Sequence, residues 1–219
     1  ARLPKIDATR YVCVGPGKAG YREYESFIAS APASRPGVDV KPDDTWIMLF
    51  TSGTTGKPKG VVRSHESYSA FYLINAIDFR FHPAEVCMNV MPLCHVNSTF
   101  FTLNVLYQGG KVYVHPARSF RPLEVFEIIQ RERITFISLV PTHYQMMLSV
   151  PPEDRKRFDL SSVDKLLCSS APARREIKLG IMEIFPGVKL YEGYGSTEAG
   201  IVTTLFPEEQ MEKLGSIGR

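Results

Sequence analysis

Between residues 85 and 191 short apolar runs alternate with longer segments of helical periodicity, and this alternation restricts the fold more than any other feature of the chain. Runs at 85–93, 111–115, 134–140, 165–168 and 188–191 read as strands, and 97–108, 122–133, 142–149 and 173–185 as helices. Gly109-Gly110 ends the first of these helices, Pro122 opens the second, Thr142 is placed to cap the third, and Pro186-Gly187 stops the fourth. Residues 149–160 are polar, contain proline and read as a loop. Helices joining successive strands make βαβ units, so the expected class is α/β, with largely parallel sheets and helices packed on them. Upstream, 11–14 reads as a strand, 21–31 as the region of a helix, 31–44 as an exposed connector, and 65–78 as a helix carrying Tyr68, Phe71, Tyr72 and Ile74 at helical spacing.

The apolar run Trp46-Ile47-Met48-Leu49-Phe50 reads as a buried strand, and it breaks into Thr51-Ser52-Gly53-Thr54-Thr55-Gly56-Lys57-Pro58-Lys59-Gly60 before the pair Val61-Val62. Glycines let backbone N–H groups turn toward an anion, hydroxyls donate further hydrogen bonds, and lysine adds positive charge. The stretch is therefore suited to phosphate. It is not a Walker P-loop: only Thr54 and Thr55 separate Gly53 from Gly56, and Pro58, not Ser or Thr, follows Lys57. As a ten-residue string it resembles the phosphate-binding loop of the adenylate-forming superfamily, which includes acyl-CoA synthetases, adenylation domains of peptide synthetases and beetle luciferases.

A second string, Tyr191-Glu192-Gly193-Tyr194-Gly195-Ser196-Thr197-Glu198-Ala199-Gly200, follows the last strand. Ligands of open α/β sheets sit at the carboxyl ends of strands, so its position is apt. Tyr194 offers a flat π face, Thr197 a hydroxyl, and Glu198 a carboxylate for a hydrated magnesium ion. The string resembles the second signature of the same superfamily. That resemblance implies nucleotide contact along Tyr191, Glu192, Gly193, Tyr194 and Gly195, with Tyr194 on adenine, Thr197 on the α-phosphate and Glu198 on Mg2+.

Cys168-Ser169-Ser170-Ala171-Pro172 lies between a strand and a helix, where the family usually has Gly-Gly-Ala-Pro lining adenine. Ser169, Ser170 and Ala171 are the corresponding adenine contacts, although serine is less at ease than glycine at positive φ. In Pro92-Leu93-Cys94-His95 the chain is similar to the Pro-Leu-x-His of acyl-CoA synthetases, which implies that His95 sits near the substrate carboxylate. Amino-acid-activating members carry an Asp there, but no acid lies between Pro92 and Asn97, which favours a plain carboxylate over an α-amino acid. Family members have a Val-Pro segment where this chain has Val140-Pro141-Thr142-His143, and the resemblance implies that His143 borders the acyl pocket.

The resemblance implies two steps: a carboxylate and MgATP give an acyl-adenylate and pyrophosphate, then coenzyme A takes the acyl group and AMP leaves. Thr51, Ser52, Gly53, Thr54, Thr55, Gly56 and Lys59 are expected to hold the β- and γ-phosphates; Thr197, Glu198, His95 and Lys59 are the catalytic candidates, and Glu198 the metal ligand. Residues 1–219 correspond to part of the large N-terminal domain. The start of that domain, its ribose-binding segment, the hinge and the small lysine-bearing domain are expected to lie outside, and the fragment alone is expected to be inactive. A non-catalytic ATP- or AMP-binding homologue and a luciferase-like or carrier-protein-loading adenylation domain are the alternatives.

Composition adds exclusions. With 26 basic and 23 acidic residues the net charge is +3, and no basic block suggests nucleic acid. No apolar run reaches the ~20 residues of a bilayer span. Cys13, Cys87, Cys94 and Cys168 lack a C-x-x-C spacing and read as reduced, mostly buried thiols in a cytoplasmic protein, and they make no finger-like metal set with His82 and His95.

Overall fold

A computed structural model describes residues 7, 10–51, 56–116 and 119–219. The chain divides into two units, Ala1–Val40 and Lys41–Arg219. In the first, β1 (Val12–Cys13) pairs in parallel with β2 (Arg22–Glu23), which runs into α1 (Tyr24–Ala29). Glu23 caps that helix by accepting from the Glu25 and Ser26 N–H groups.

The second unit begins with an antiparallel pair, β3 (Thr45–Thr51) and β4 (Lys59–Ser64), followed by α2 (His65–Asp78), which Ser64 caps through the Ser67 N–H. The expectation of a buried strand at 46–50 is corrected: only Leu49 is buried, while Trp46, Met48 and Phe50 are exposed. An apolar run signals burial only if both faces are covered, and among the described residues β3 has a single strand partner.

The six-stranded sheet consists of β5 (Val86–Asn89), β6 (Lys111–Val114), β7 (Phe136–Leu139), β8 (Lys165–Ser169), β9 (Lys189–Ser196) and β10 (Gly200–Leu205), in the order β6-β5-β7-β8-β9-β10. Every neighbouring pair is parallel except β9 and β10. The connecting helices are α3 (Val96–Tyr107), α4 (Pro122–Glu132), α5 (Pro141–Leu148), α6 (Pro152–Arg155) and α7 (Arg175–Ile184).

Side chains alternate across this sheet with period two and build a core on each face. Met88, Ile137, Leu166, Cys168 and Leu190 point to one side, against Phe126 and Ile129 of α4, Tyr144 and Met147 of α5, and Ile181 of α7. Cys87, Phe136, Leu167 and Tyr191 point to the other, against Tyr68 and Tyr72 of α2 and Phe100, Phe101 and Val105 of α3. The second core is largely aromatic, with Phe101 and Phe136 ring centroids 5.4 Å apart and Phe79 and Tyr191 4.8 Å apart. Burial pushes the Cys87 and Cys168 thiols up to about 12; Cys94 is exposed and Cys13 partly so.

Three local expectations change. Thr142 does not cap α5, because Pro141, with fixed φ and no N–H, takes the first helical turn and makes Val140 the cap residue. The loop 149–160 contains the one-turn α6. The strand read at 188–191 runs on through Ser196 and pairs with β10, whose antiparallel course adds an edge to the parallel sheet.

Candidate active site

The sheet order reverses at β5: its neighbour β6 follows it through α3, and β7 returns to its other side. Such a switch point leaves a crevice beyond the carboxyl ends of the strands. A cavity of about 410 Å³ opens beside it, at the carboxyl ends of β8 and β9 and the start of α3. Its walls are Thr51 at the end of β3, His95, Asn97, Phe100 and Phe101 at the start of α3, Ser169 and Ser170 at the end of β8, and Gly193, Gly195, Thr197, Glu198, Gly200 and Ile201 of β9, β10 and the turn between them.

His95 is the cap residue of α3, and its Nδ1 accepts from the Asn97 N–H at 3.4 Å. An accepting Nδ1 places the proton of the neutral imidazole on Nε2, making Nε2 the donor. The Asn97 side chain joins two strands: its Nδ2 donates to Ser169 Oγ at 2.5 Å, and its Oδ1 accepts from Ser138 Oγ at 2.8 Å. Phe100, Phe101, Leu167 and Ile201 supply apolar wall, so polar groups concentrate at the strand ends.

Gly195 sits where β9 and β10 approach so closely that a Cβ would lie 2.1 Å from the Gly200 carbonyl oxygen. Only glycine permits that pairing. The turn it closes carries Thr197 and Glu198 on the cavity wall, and Ala199 N–H donates to Ser196 Oγ within it.

The sequence model of the AMP-binding enzyme family matches residues 6–219. The chain belongs to that family. Over 203 residues it is 34% identical to 4-coumarate-CoA ligase 1 of Narcissus pseudonarcissus, covering 89% of this chain and 37% of that protein. It is 32% identical over 197 residues to 4-coumarate--CoA ligase-like 2 of Arabidopsis thaliana, covering 89% and 34%. Among solved structures, the inhibitor-bound N-terminal domain of FACL13 from Mycobacterium tuberculosis aligns with a TM-score of 0.76 at 28% identity, covering 89% of this chain and 48% of that one. The amide bond synthetase McbA of Marinactinospora thermotolerans aligns with a TM-score of 0.80 at 29% identity, covering 95% and 41%. The chain spans about a third of the length of these curated relatives. Its mostly parallel sheet flanked by helices is the fold of the N-terminal domain of adenylate-forming enzymes.

Within this AMP-binding unit the structure brings together Thr51, His95, Ser169, Ser170, Gly193, Gly195, Thr197 and Glu198. Ser52, Gly53, Thr54 and Thr55 lie outside the described residues. Gly56 and Lys59 are exposed, with Lys59 opposite Thr51 in the β3–β4 register, and neither lines the cavity. Ala171 and the half-exposed Tyr194 also stand outside its wall. Ser170 does adopt the left-handed backbone, at φ 68°, that the family's glycine would take more easily.

The Tyr191 and Glu192 side chains do not reach the cavity. Tyr191 is buried in the aromatic core. Glu192 points to the opposite face, where its Oε2 meets Lys178 Nζ at 2.6 Å and its Oε1 accepts the Ala173 N–H at 3.0 Å. His143 is likewise elsewhere. It stacks on Phe120 at 4.4 Å in a separate cavity of about 380 Å³, and burial lowers its pKa.

Asn97, Phe100, Phe101 and Ile201 are cavity residues that the sequence motifs do not include. The first three follow His95 at positions that share a helix face, and that spacing is the signal for them. Glu198 is the one acidic residue among the described residues that line the cavity, and Thr51 and Thr197 line it too. Such a donor set fits a hard cation that keeps most of its waters, as Mg2+ does.

Proposed function

We propose that the protein carrying this chain is an AMP-forming carboxylate–CoA ligase, and that this chain is the part that grips ATP and the acyl carboxylate. The supporting observation is that Thr51, His95, Ser169, Ser170, Thr197 and Glu198, from four separate strand ends, line one cavity.

In this reading Thr51, residues 52–56 and Lys59 hold the β- and γ-phosphates. Tyr194 and the Ser169–Ala171 backbone take adenine, and Thr197 holds the α-phosphate. Glu198 holds magnesium, which when bound neutralises phosphate charge. His95 Nε2–H donates to the substrate carboxylate and keeps it aligned. A carboxylate oxygen attacks the α-phosphorus as the bond to the β-phosphate oxygen breaks, so pyrophosphate leaves with that electron pair. The thiol sulfur of coenzyme A then adds to the acyl carbonyl, its proton passes to solvent, and AMP departs with the bridging oxygen. The first step is mainly a matter of positioning and charge neutralisation.

The apolar wall formed by Phe100, Phe101, Leu167 and Ile201 suits an apolar acyl group. The names of the relatives make aryl-propenoic acids the first to try, followed by short, medium and long aliphatic acids. A reducing, cytoplasmic setting is part of the proposal and rests on the free thiols.

The test is carboxylate-dependent exchange of labelled pyrophosphate into ATP by the purified protein, screened over those acids. Exchange that needs an acid and falls by about a hundredfold or more in Glu198→Gln supports the reading, since such a fall matches the loss of one preorganised electrostatic contact. ATP binding without exchange under any acid favours a non-catalytic homologue instead.

A further inference from the structure

Arg63 lies near the end of β4, half-buried, and its guanidinium makes contacts of three kinds. Its Nε donates to Ser67 Oγ at 3.0 Å. The group lies over the Phe71 ring, 4.4 Å from the centroid, and beside Tyr68 at 5.6 Å. Its Nη1 donates to the main-chain carbonyl of Glu198, 135 residues away in sequence. Phe71 completes the arrangement: it lies so close to Gly200, which has φ +75°, that a Cβ there would be 2.8 Å from the ring. One guanidinium and the ring beneath it therefore hold both ends of the Glu198–Gly200 segment against β4 and α2.

The consequence concerns Glu198. Its carbonyl is held by Arg63, and the residue lines the cavity. Fixing the main chain at one atom restricts the arc through which the carboxylate can swing, and preorganisation of this kind determines how well a group serves chemistry. We propose that Arg63 is a positioning residue for adenylation: with Phe71 and Gly200 it forms a clasp that holds the Thr197–Glu198 turn in register with the hairpin carrying the phosphate loop. The proposal rests on the role given to Glu198 above. A lysine has no planar group that can lie on Phe71 and donate at its edge together, so Arg63→Lys fills this place only in part.

The test compares wild-type protein with Arg63→Met and Arg63→Lys by two readouts. The first is ATP–pyrophosphate exchange as a function of magnesium concentration. Arg63→Met is expected to raise the magnesium concentration for half-maximal exchange about tenfold, with Arg63→Lys between it and wild type. The second is amide hydrogen exchange, expected to accelerate at residues 197–201 and to stay unchanged in β7 and β8. Lower amplitude at an unchanged magnesium midpoint, or unchanged protection at 197–201, overturns the proposal. Absence of any exchange activity in the wild type overturns the adenylation reading on which it rests, while the amide readout, which needs no substrate, still decides whether the clasp exists.

Discussion

Lys178 and Glu192 form an ion pair with side-chain exposures of 0% and 6%, and the two residues tie α7 to β9 behind the cavity. Their 2.6 Å approach is ionic rather than a well-aligned hydrogen bond, and the Lys178 ammonium has no hydrogen-bond partner among the described residues. It therefore depends on Glu192. Glu192→Gln strands a buried cation, and Lys178→Met strands a buried carboxylate whose other oxygen still accepts the Ala173 N–H. Removing one partner of a buried pair costs about 3–5 kcal/mol, whereas replacing both with groups of similar volume is close to neutral. Each single variant should therefore lose about 3–5 kcal/mol. The double variant Lys178→Met/Glu192→Gln should recover most of that, since methionine fills the lysine stem's space and glutamine keeps the bond from Ala173. Urea denaturation of wild type and the three variants, closed as a double-mutant cycle, gives the coupling energy. Single losses below about 1 kcal/mol, or losses that simply add in the double variant, would refute the reasoning.

Gly195→Ala would put a Cβ 2.1 Å from the Gly200 carbonyl oxygen, and should lower stability by about 3 kcal/mol or more and abolish ATP binding; near-native binding by calorimetry would contradict this. Ser170→Gly should relieve a left-handed serine whose cost of ~1–2 kcal/mol exceeds the ~0.5–1 kcal/mol that glycine loses in chain entropy. The expected gain is a melting temperature higher by roughly 1–4 °C, and a fall would count against the strain. Burial holds the His143 pKa below its usual range, so as pH falls the unfolded chain takes up that proton first. The stability contributed by the neutral ring is complete above about pH 6.5 and is lost as pH drops below that value through the folded pKa. His143→Phe should flatten this part of the curve between pH 7.5 and 5.5, and an unchanged slope would exclude His143 as its source.

The parallel sheet was legible in the sequence because each strand is an apolar run bounded by helix starts and stops, as the run 134–140 is by Arg133 and Pro141. β10 was not legible. Gly200–Leu205 opens on glycine inside a motif already read for its chemistry, and its strand character comes from pairing with β9 at the Gly195 approach. The strand-end residues of the cavity were legible for the opposite reason: chain order alone places His95, Ser169, Thr197 and Glu198 at carboxyl ends. For Asn97 the helix spacing gives only the face, since its partners Ser138 and Ser169 lie 41 and 72 residues away and no motif connects them. Tyr191 and Glu192 show the limit of reading a motif as a block. Strand periodicity sends one into the aromatic core and the other to Lys178, leaving the glycines and the turn beyond them to face the cavity.

The central claim is that a carboxylate oxygen attacks the α-phosphorus of ATP in the cavity beyond β8 and β9. Supplying an active acid with both carboxylate oxygens labelled as ¹⁸O, with ATP and coenzyme A, and recovering the AMP by mass spectrometry follows that oxygen directly. The account predicts one ¹⁸O in the AMP phosphate for each thioester formed. Unlabelled AMP, or label found in inorganic phosphate alongside ADP, would contradict it.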